Sequence, residues 1–312
     1  MPTLDLRPFS PLFGIAFGVL SAATAVPPPL AASPYECQEM AQRYYAGKGS
    51  VDDRQINIYL LRATGKSCLD LARALLNEGA SVHVRGRDGG TPLHQAAKVS
   101  DASVARLLLD RGADIEAREL TGATPLYHAI DAGRAGTAAL LLDRGADPNG
   151  LGKSAAPPLA VAAFNGHDRI VALLLERKAD PDLSDSTGKT AIIYAAARGF
   201  APIVDRLLAA GIDVNRRYGH DLTALMWAAG HANDVPEADG LKIVDTLLTH
   251  GARIDDIDDR GRTALMIAAE VGRPAVIELL RRRGADVGIK DRLGMSAADL
   301  AADDEVRKAL GL

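Results

Sequence analysis

The apolar residues of this chain follow the spacing of short helices, and the pattern restarts every thirty-three residues. In the unit 88–120, Leu93, Ala96 and Ala97 lie on one face of a first helix that begins at Pro92. A second helix carries apolar residues at the same spacing, namely Val104, Leu107 and Leu108. Each unit therefore predicts two helices, each with one buried face.

Six copies of this unit can be delimited: 88–120, 121–153, 154–186, 187–219, 220–259 and 260–292. Before them, 33–54 predicts a capping helix and 55–87 a degenerate first copy. Residues 293–312 predict a polar C-terminal cap whose first helix begins at Ser296. The unit 220–259 has seven extra residues, around 231–240, which we expect to form one irregular loop. A fixed period of this length is typical of a stacked-repeat protein.

Pairs of small residues explain how the units stack. Alanines recur in phase on the first helix: Ala96-Ala97, Ala162-Ala163, Ala195-Ala196, Ala228-Ala229 and Ala268-Ala269. Small side chains let neighbouring first helices approach closely, while leucines fill the space beneath the second helices. This arrangement predicts an all-α solenoid, curved, with the first helices on its concave side.

The repeated segments resemble a known family. Gly-x-Thr-Pro-Leu-His-x-Ala-Ala at 89–97 and Leu-Leu-Leu-Asp-Arg-Gly-Ala-Asp at 107–114 are similar to the ankyrin repeat. The resemblance covers residues 55–312. It implies helix–turn–helix units joined by hairpin loops, with partners bound by the hairpin tips and the inner helices. It also implies a structural hydrogen-bonding role for His94 at the start of its helix.

The unit 154–186 departs from this pattern at three positions. Ala155 replaces the turn glycine, Pro157 the capping threonine, and Lys178 the glycine that ends the second helix. A side chain is costly in the left-handed conformation that this last position usually requires. We therefore expect the helix before Lys178 to end differently from the others.

Composition adds two constraints. The chain has 312 residues, of which 47% are hydrophobic but only 4% aromatic, so alanine and leucine must build the core. The formal net charge of −4, without a basic tail, argues against a nucleic-acid partner. It does not decide which class of protein binds.

Residues 1–32 predict a secretory signal peptide followed by a proline-rich leader. The apolar run at 11–25 is short and ends in small residues, with cleavage expected after Ala25 or after Ala32. We therefore expect a periplasmic or secreted protein, monomeric and not inserted in a membrane after cleavage. The alternative is a cytoplasmic protein with a disordered leader.

The two cysteines, Cys37 and Cys68, follow from this choice. In an oxidising compartment an even number of cysteines favours one disulfide. Closing this loop would contribute about 3–4 kcal/mol on the chain-entropy account. In a cytoplasmic protein they would be two reduced core cysteines.

No segment predicts catalysis, a cofactor or a metal. The seven histidines lack metal-ligand spacing, and the acidic run 255–259 lacks the spaced ligands of a calcium loop. Gly65-Lys66-Ser67 ends like a phosphate-binding loop, but it joins two predicted helices. We therefore expect a protein that is not an enzyme.

The side chains left for binding lie just after the alanine pairs and around the hairpin tips. We predict protein contacts from Arg87, Asp88, Lys98, Arg118, Asp131, Phe164, Asn165, Arg198, Arg217, Tyr218, His220 and Trp227. Arginine and aromatic residues are typical interface anchors. Phe164, Tyr194 and Trp227 are expected to line the centre of the concave face. A half-buried framework role is the alternative for Tyr194 and Trp227, which makes Phe164 the stronger candidate.

These observations predict a non-catalytic protein-binding scaffold, exported to the periplasm. Resemblance to exported bacterial ankyrin proteins implies an accessory factor for other envelope proteins, including ones linked to oxidative-stress defence. An immunity protein that masks a toxin is one alternative. A secreted effector acting inside a host cell is another.

Overall fold

The structure, a computed structural model, describes residues 34–230 and 236–312. The predicted leader at 1–32 lies outside these residues, as do residues 231–235 of the inserted segment. The described residues form sixteen α-helices and no strand. The helices are α1 (Pro34–Ala46), α2 (Asp53–Gly65), α3 (Leu69–Asn77), α4 (Pro92–Ala97), α5 (Ser103–Asp110), α6 (Pro125–Asp131), α7 (Ala135–Asp143), α8 (Pro158–Phe164), α9 (Asp168–Glu176), α10 (Ala191–Ala197), α11 (Ala201–Ala209), α12 (Ala224–Ala229), α13 (Glu237–Thr249), α14 (Ala264–Glu270), α15 (Pro274–Arg282) and α16 (Asp304–Leu310).

From α2 to α15 the helices form consecutive pairs. The first helix of each pair packs against the first helix of the next, from α2 through to α14, and these helices make an inner layer. The second helices make the outer layer and pack beneath their partners. This two-layer stack confirms the predicted all-α solenoid.

The inner helices begin where the sequence supplies a cap. Thr124 Oγ1 accepts a hydrogen bond from the backbone N–H of Tyr127 at 3.2 Å, which satisfies one of the unpaired donors at the start of α6. Pro125 follows at the first helical position, where its missing N–H costs nothing. Pro157, which replaces the threonine before α8, makes no side-chain cap bond.

The core consists of alanine and leucine, as the composition requires. The alanine pairs named above are 0% exposed on the inner helices. The outer helices contribute fully buried leucines, each 0% exposed: Leu108, Leu141, Leu174, Leu207, Leu247 and Leu280. Burying a leucine side chain contributes about 1.5–3 kcal/mol, so the outer layer supplies much of the stabilisation.

Every outer helix from α3 to α15 is followed by a residue with a left-handed backbone. This residue is glycine in each unit except one, where Lys178 has a φ of 60°. The following amide, of Ala179, donates to Leu174 O at 2.9 Å, and the same bond closes the other outer helices. The expectation that α9 ends differently is therefore wrong. The lysine adopts the conformation of the glycine that it replaces.

The hairpin loops also turn at left-handed residues. Glycine fills this position in most units, but Ala155 and Asp221 occupy it with φ values of 55° and 57°. In these two hairpins the preceding residue, Ser154 or His220, is left-handed as well, with φ values of 56° and 63°. Two consecutive left-handed residues are typical of a type I′ turn. These two hairpins therefore present their tips differently from the others.

Helix α1 is attached to the first helix pair by a disulfide. Cys37 and Cys68 are bonded, with their Cα atoms 5.3 Å apart, which confirms the predicted bridge. Tyr44 is 2% exposed, and its hydroxyl donates to Glu78 Oε2 at 2.7 Å. Burial and this hydrogen bond raise the pKa of Tyr44 to about 12. Lys48 Nζ lies 2.9 Å from the same carboxylate oxygen.

Two further local predictions were wrong. Part of the inserted segment is helical, because α13 begins at Glu237 and has 13 residues against 9 in α11. Two acidic residues in its first turn favour a helix N-terminus.

At the C-terminus, Ser296 begins a turn rather than a helix. The Asp299 carboxylate accepts from the Ser296 amide at 2.9 Å and from its hydroxyl at 2.7 Å, which competes with helix formation.

Candidate protein-binding face

The inner layer presents the last turn of each first helix, just after the alanine pair. We call this surface the inner-helix face. Its positions, one per unit, are Lys98, Asp131, Phe164, Ala197, Gly230 and Glu270, each followed by a second candidate position that includes Asn165 and Arg198. Asp131 and Arg198 are exposed, whereas Lys98 and Phe164 are half-buried. These side chains project from helices held by a packed core, so their positions are fixed before a partner arrives.

Phe164 lies at the centre of this face, against the ring of Tyr194 and the guanidinium group of Arg198. Its ring centroid is 5.4 Å from that of Tyr194, and the two planes are nearly perpendicular, at 88°. Arg198 Cζ lies 4.6 Å from the Phe164 centroid and 5.9 Å from that of Phe200. Such stacking orients the guanidinium without removing it from water. The result is an exposed arginine supported by aromatic rings.

Phe200 was not among the residues predicted from the sequence. It covers Gly166, where an added Cβ atom would lie 2.6 Å from Phe200 Cζ, so only glycine fits. One unit earlier, His167 covers Gly133 in the same way, at 2.9 Å from the corresponding Cβ position. The repeat contained a pattern that could have indicated Phe200, because this residue follows His167 by one period.

Tyr194 and Trp227 differ in exposure. Tyr194 is 7% exposed, and its hydroxyl donates to the Asp185 carboxylate. Burial alone would raise the pKa of Asp185, but hydrogen bonds from Tyr194 and Thr187 hold it below its usual range. Tyr194 therefore has the framework role that was the alternative prediction. Trp227 remains half-buried, and Lys189 Nζ lies 5.7 Å from its ring centroid.

A cluster of ionisable groups lies toward the N-terminal end of the inner-helix face. His128 Nε2 is 3.2 Å from Glu119 Oε2, and both side chains are largely buried. Burial lowers the pKa of His128, and the nearby Lys98 lowers it further. Burial would raise the pKa of Glu119, but a hydrogen bond from Thr121 and the charge of His128 hold it below its usual range. Each of these two groups thus favours the charged form of the other.

His94 beside this cluster has the structural role that the resemblance implies. Its Nδ1 atom lies 3.0 Å from the Thr91 backbone N–H donor, and its Nε2 atom lies 3.1 Å from Ala123 O. A ring that accepts at Nδ1 and donates at Nε2 is neutral. Burial lowers the pKa of His94, in agreement with this neutral form. His94 therefore connects one unit to the next.

At the hairpins, two of the predicted contact residues bind neighbouring backbone. Arg118 Nη1 donates to Gly122 O at 2.9 Å within its own hairpin and to Leu151 O at 2.6 Å in the next. Arg217 Nη1 donates to Ile257 O at 2.8 Å. Both side chains remain exposed, so they hold successive hairpins together while still facing solvent.

The remaining predicted contact residues divide into exposed and half-buried groups. Asp88 is exposed, and its Oδ1 atom accepts from the Gly90 amide at 3.0 Å, within its own hairpin. His220 Nδ1 lies 2.8 Å from Asp259 Oδ2 on the following hairpin. Tyr218 is half-buried. Two final residues, Arg87 and Asn165, are exposed and half-buried respectively, and Asn165 Nδ2 donates to Asp131 Oδ1 at 3.3 Å. Binding by these residues stays a prediction.

The described residues hold no group of three or more histidine, cysteine or acidic side chains placed to bind a metal ion. Within the same residues, no helix combines the length and the apolar character that crossing a bilayer requires.

Comparison with protein families decides what this array is. A family model of ankyrin repeats matches three segments of the chain, at 60–150, 159–237 and 220–291. The chain belongs to the ankyrin-repeat family. A sequence search of curated proteins finds no match to it.

Ankyrin repeats indicate a scaffold for protein–protein interaction, and proteins of this family are typically non-catalytic. In an ankyrin array the framework positions are fixed by the fold. The candidates for recognition are therefore the residues in which one unit differs from the next. Phe164 and Arg198 meet this criterion, since the corresponding positions in the other units are occupied by different residues.

Proposed function

We propose that this ankyrin protein is a non-catalytic scaffold that binds a protein partner in an oxidising compartment outside the cytoplasm. The inner-helix face and the hairpin tips make the contacts. The observation that carries the proposal is the group formed by Phe164, Arg198 and Phe200. An exposed guanidinium supported by aromatic rings is the type of side-chain arrangement on which interface energy concentrates.

A rigid array makes such a group effective. Arg198 lies within cation–π distance of both rings, so few of its rotamers remain to be lost on binding. Ordering a long, free side chain at an interface costs about 0.5–1.5 kcal/mol, and a side chain already stacked loses less. The scaffold therefore contributes to affinity by restricting its contact residues beforehand.

The disulfide supports a location outside the cytoplasm. Cys37 and Cys68 account for both cysteines of the chain. Disulfides persist in oxidising compartments and are rare in the cytosol. The signal peptide expected at 1–32 agrees with the same location. Cell fractionation with a periplasmic and a cytosolic marker tests it directly, and a cytosolic protein with reduced cysteines would contradict it.

Affinity capture with matched variants tests the binding face. The tagged wild-type protein is compared with Phe164→Ala/Arg198→Ala and with the outer-helix control Arg106→Ala/Arg169→Ala. We expect the partner to be lost with the first variant and retained with the control. Partner capture unchanged by the first variant, with normal folding by circular dichroism, would refute the proposed face.

The identity of the captured protein separates the remaining alternatives. An envelope protein would support the accessory role, and a toxin would indicate an immunity protein. A host cytosolic protein would indicate an effector.

A further inference from the structure

The N-terminal end of the array contains a groove of about 1000 Å³. It lies between α2 and the first hairpin, and Met40 of α1 contributes to its wall. The groove exists because the first unit lacks a hairpin. Residues 53–58, one period before the hairpin residues 86–91, form the first turns of α2 instead. Among the residues that the structure describes, no other hairpin therefore covers the N-terminal side of the first hairpin.

Some of the later hairpins show what this side can contact when another hairpin precedes it. The Leu120 backbone N–H donates to Asp88 O of the preceding hairpin at 3.0 Å, and Arg292 N–H donates to Arg260 O at 2.9 Å. Arg87 occupies the position equivalent to Leu120, one period earlier. Among the described residues, no backbone carbonyl accepts from the Arg87 N–H. Within the part of the chain that the structure describes, no hairpin precedes the first one, and this edge is therefore available to another chain.

The lining of the groove combines apolar and cationic side chains. Ile58 is 39% exposed and lies with Leu61 and Val84 on the wall. Five of the thirteen lining residues are arginine or lysine, and none is acidic. The chain as a whole carries a net charge of −4, so this concentration of positive charge opposes the overall sign. Like charges placed together in a concave site attract an oppositely charged ligand.

Among the described residues, most of these cationic groups have no acidic partner. Arg54, Arg62 and Arg87 are exposed, and no carboxylate of the described residues lies within ion-pair distance of them. Lys66 has a carboxylate at 3.6 Å, that of Glu36. Three uncompensated guanidinium groups therefore surround the apolar wall.

We propose that this groove binds an acidic segment of the partner protein that carries apolar side chains. The proposal rests on the proposed function, that the array binds a protein, and it names the chemistry of the bound segment. Carboxylates of that segment pair with Arg54, Arg62 and Arg87, while its apolar side chains cover Ile58. Arginine forms two parallel hydrogen bonds with a carboxylate, and an apolar centre with a charged rim is typical of interfaces.

Fluorescence anisotropy with a labelled synthetic peptide of glutamate and leucine tests this chemistry. The wild-type protein is expected to bind the peptide, and Arg54→Glu/Arg62→Glu to weaken binding by about tenfold or more. The matched control is Arg106→Glu/Arg169→Glu, which makes the same charge change at exposed outer-helix positions and is expected to leave affinity unchanged. No binding by the wild-type protein, or an equal loss in both variants, would overturn the proposal.

Two further peptides and one competitor complete the test. Replacing glutamate by lysine, or leucine by serine, is expected to reduce binding, because each removes one half of the proposed chemistry. Equal binding of either peptide would contradict the proposal. Stronger binding of a single-stranded oligonucleotide at the same site would overturn the assignment to a protein segment.

Partner capture separates this proposal from the one before it. If capture requires Phe164 and Arg198 but not Arg54 and Arg62, the proposed function stands and the groove proposal fails. If capture requires both pairs, the groove belongs to the same interface, as proposed.

Discussion

Replacing Lys178 by glycine is expected to stabilise the array by about 0.5–1 kcal/mol. Lys178 has a φ of 60°, a left-handed conformation that costs a residue with a side chain about 1–2 kcal/mol. Glycine removes this strain, but its freedom in the unfolded chain returns about 0.4–1 kcal/mol. The lysine side chain is exposed, so its removal takes little from the packing.

The reverse substitution one unit earlier is the matched control. Gly145 ends the preceding outer helix with a φ of 93°, and an added Cβ atom would meet no other atom within 4 Å. Gly145→Lys is therefore expected to lower stability by about 0.5–1 kcal/mol through backbone strain alone.

Urea denaturation and thermal melting measure both variants. A change of this size moves the melting temperature of a chain of this length by about 1–2 °C. Lys178→Gly without any gain, together with a loss for Gly145→Lys, would show that α9 does not end in the glycine-like conformation described above.

Three further predictions concern the buried ion pair, the disulfide and the histidines. Asp258→Asn is expected to lower the free energy of unfolding by about 1.5–3 kcal/mol, because it removes the buried negative charge that accepts from the Arg262 guanidinium at 2.8 Å, while Glu270 Oε2 stays 2.9 Å from the same guanidinium; a loss below about 1 kcal/mol in urea denaturation would contradict this. Cys37→Ser/Cys68→Ser is expected to lower stability by about 3–4 kcal/mol, given a sequence separation of 31 residues, and to speed hydrogen exchange in α1 first; unchanged exchange in α1 would count against it. Burial lowers the pKa of both His94 and His128, so the unfolded chain binds more protons than the folded chain below the ordinary histidine pKa of about 6.5. Stability is therefore fully present above that pH and falls as the pH drops toward about 5, and a melting temperature constant over this range would refute the assignment.

The sequence predicts most of the fold, because periodic apolar positions and caps determine the helices. The alanine pairs were expected on the inner layer and are fully buried there. Lys178 could not be predicted in the same way. Side-chain preference disfavours a left-handed lysine, but the backbone bond from Ala179 to Leu174 is shared by every unit and determines the helix end. The shared backbone hydrogen bond overrode the conformational preference of the side chain.

The binding face is less accessible to prediction from sequence. Phe164 and Arg198 could be placed on one surface by counting from the repeat, but the stacking of Arg198 on Phe164 and Phe200 requires side-chain positions. The cationic groove could likewise not be predicted from the sequence alone. Arg54 and Arg62 lie on a degenerate unit, and only the absence of a hairpin there brings them beside Val84.

Site-specific photo-crosslinking tests the central claim, that the inner-helix face binds a protein partner. A photoreactive phenylalanine analogue is placed at Phe164 and, as the control, at Arg106 on the outer layer, and the protein is irradiated in intact cells. We predict one dominant crosslinked partner from position 164 that is lost when Arg198 is changed to alanine, and none from position 106. Crosslinks of the same partner from position 106 alone would contradict it.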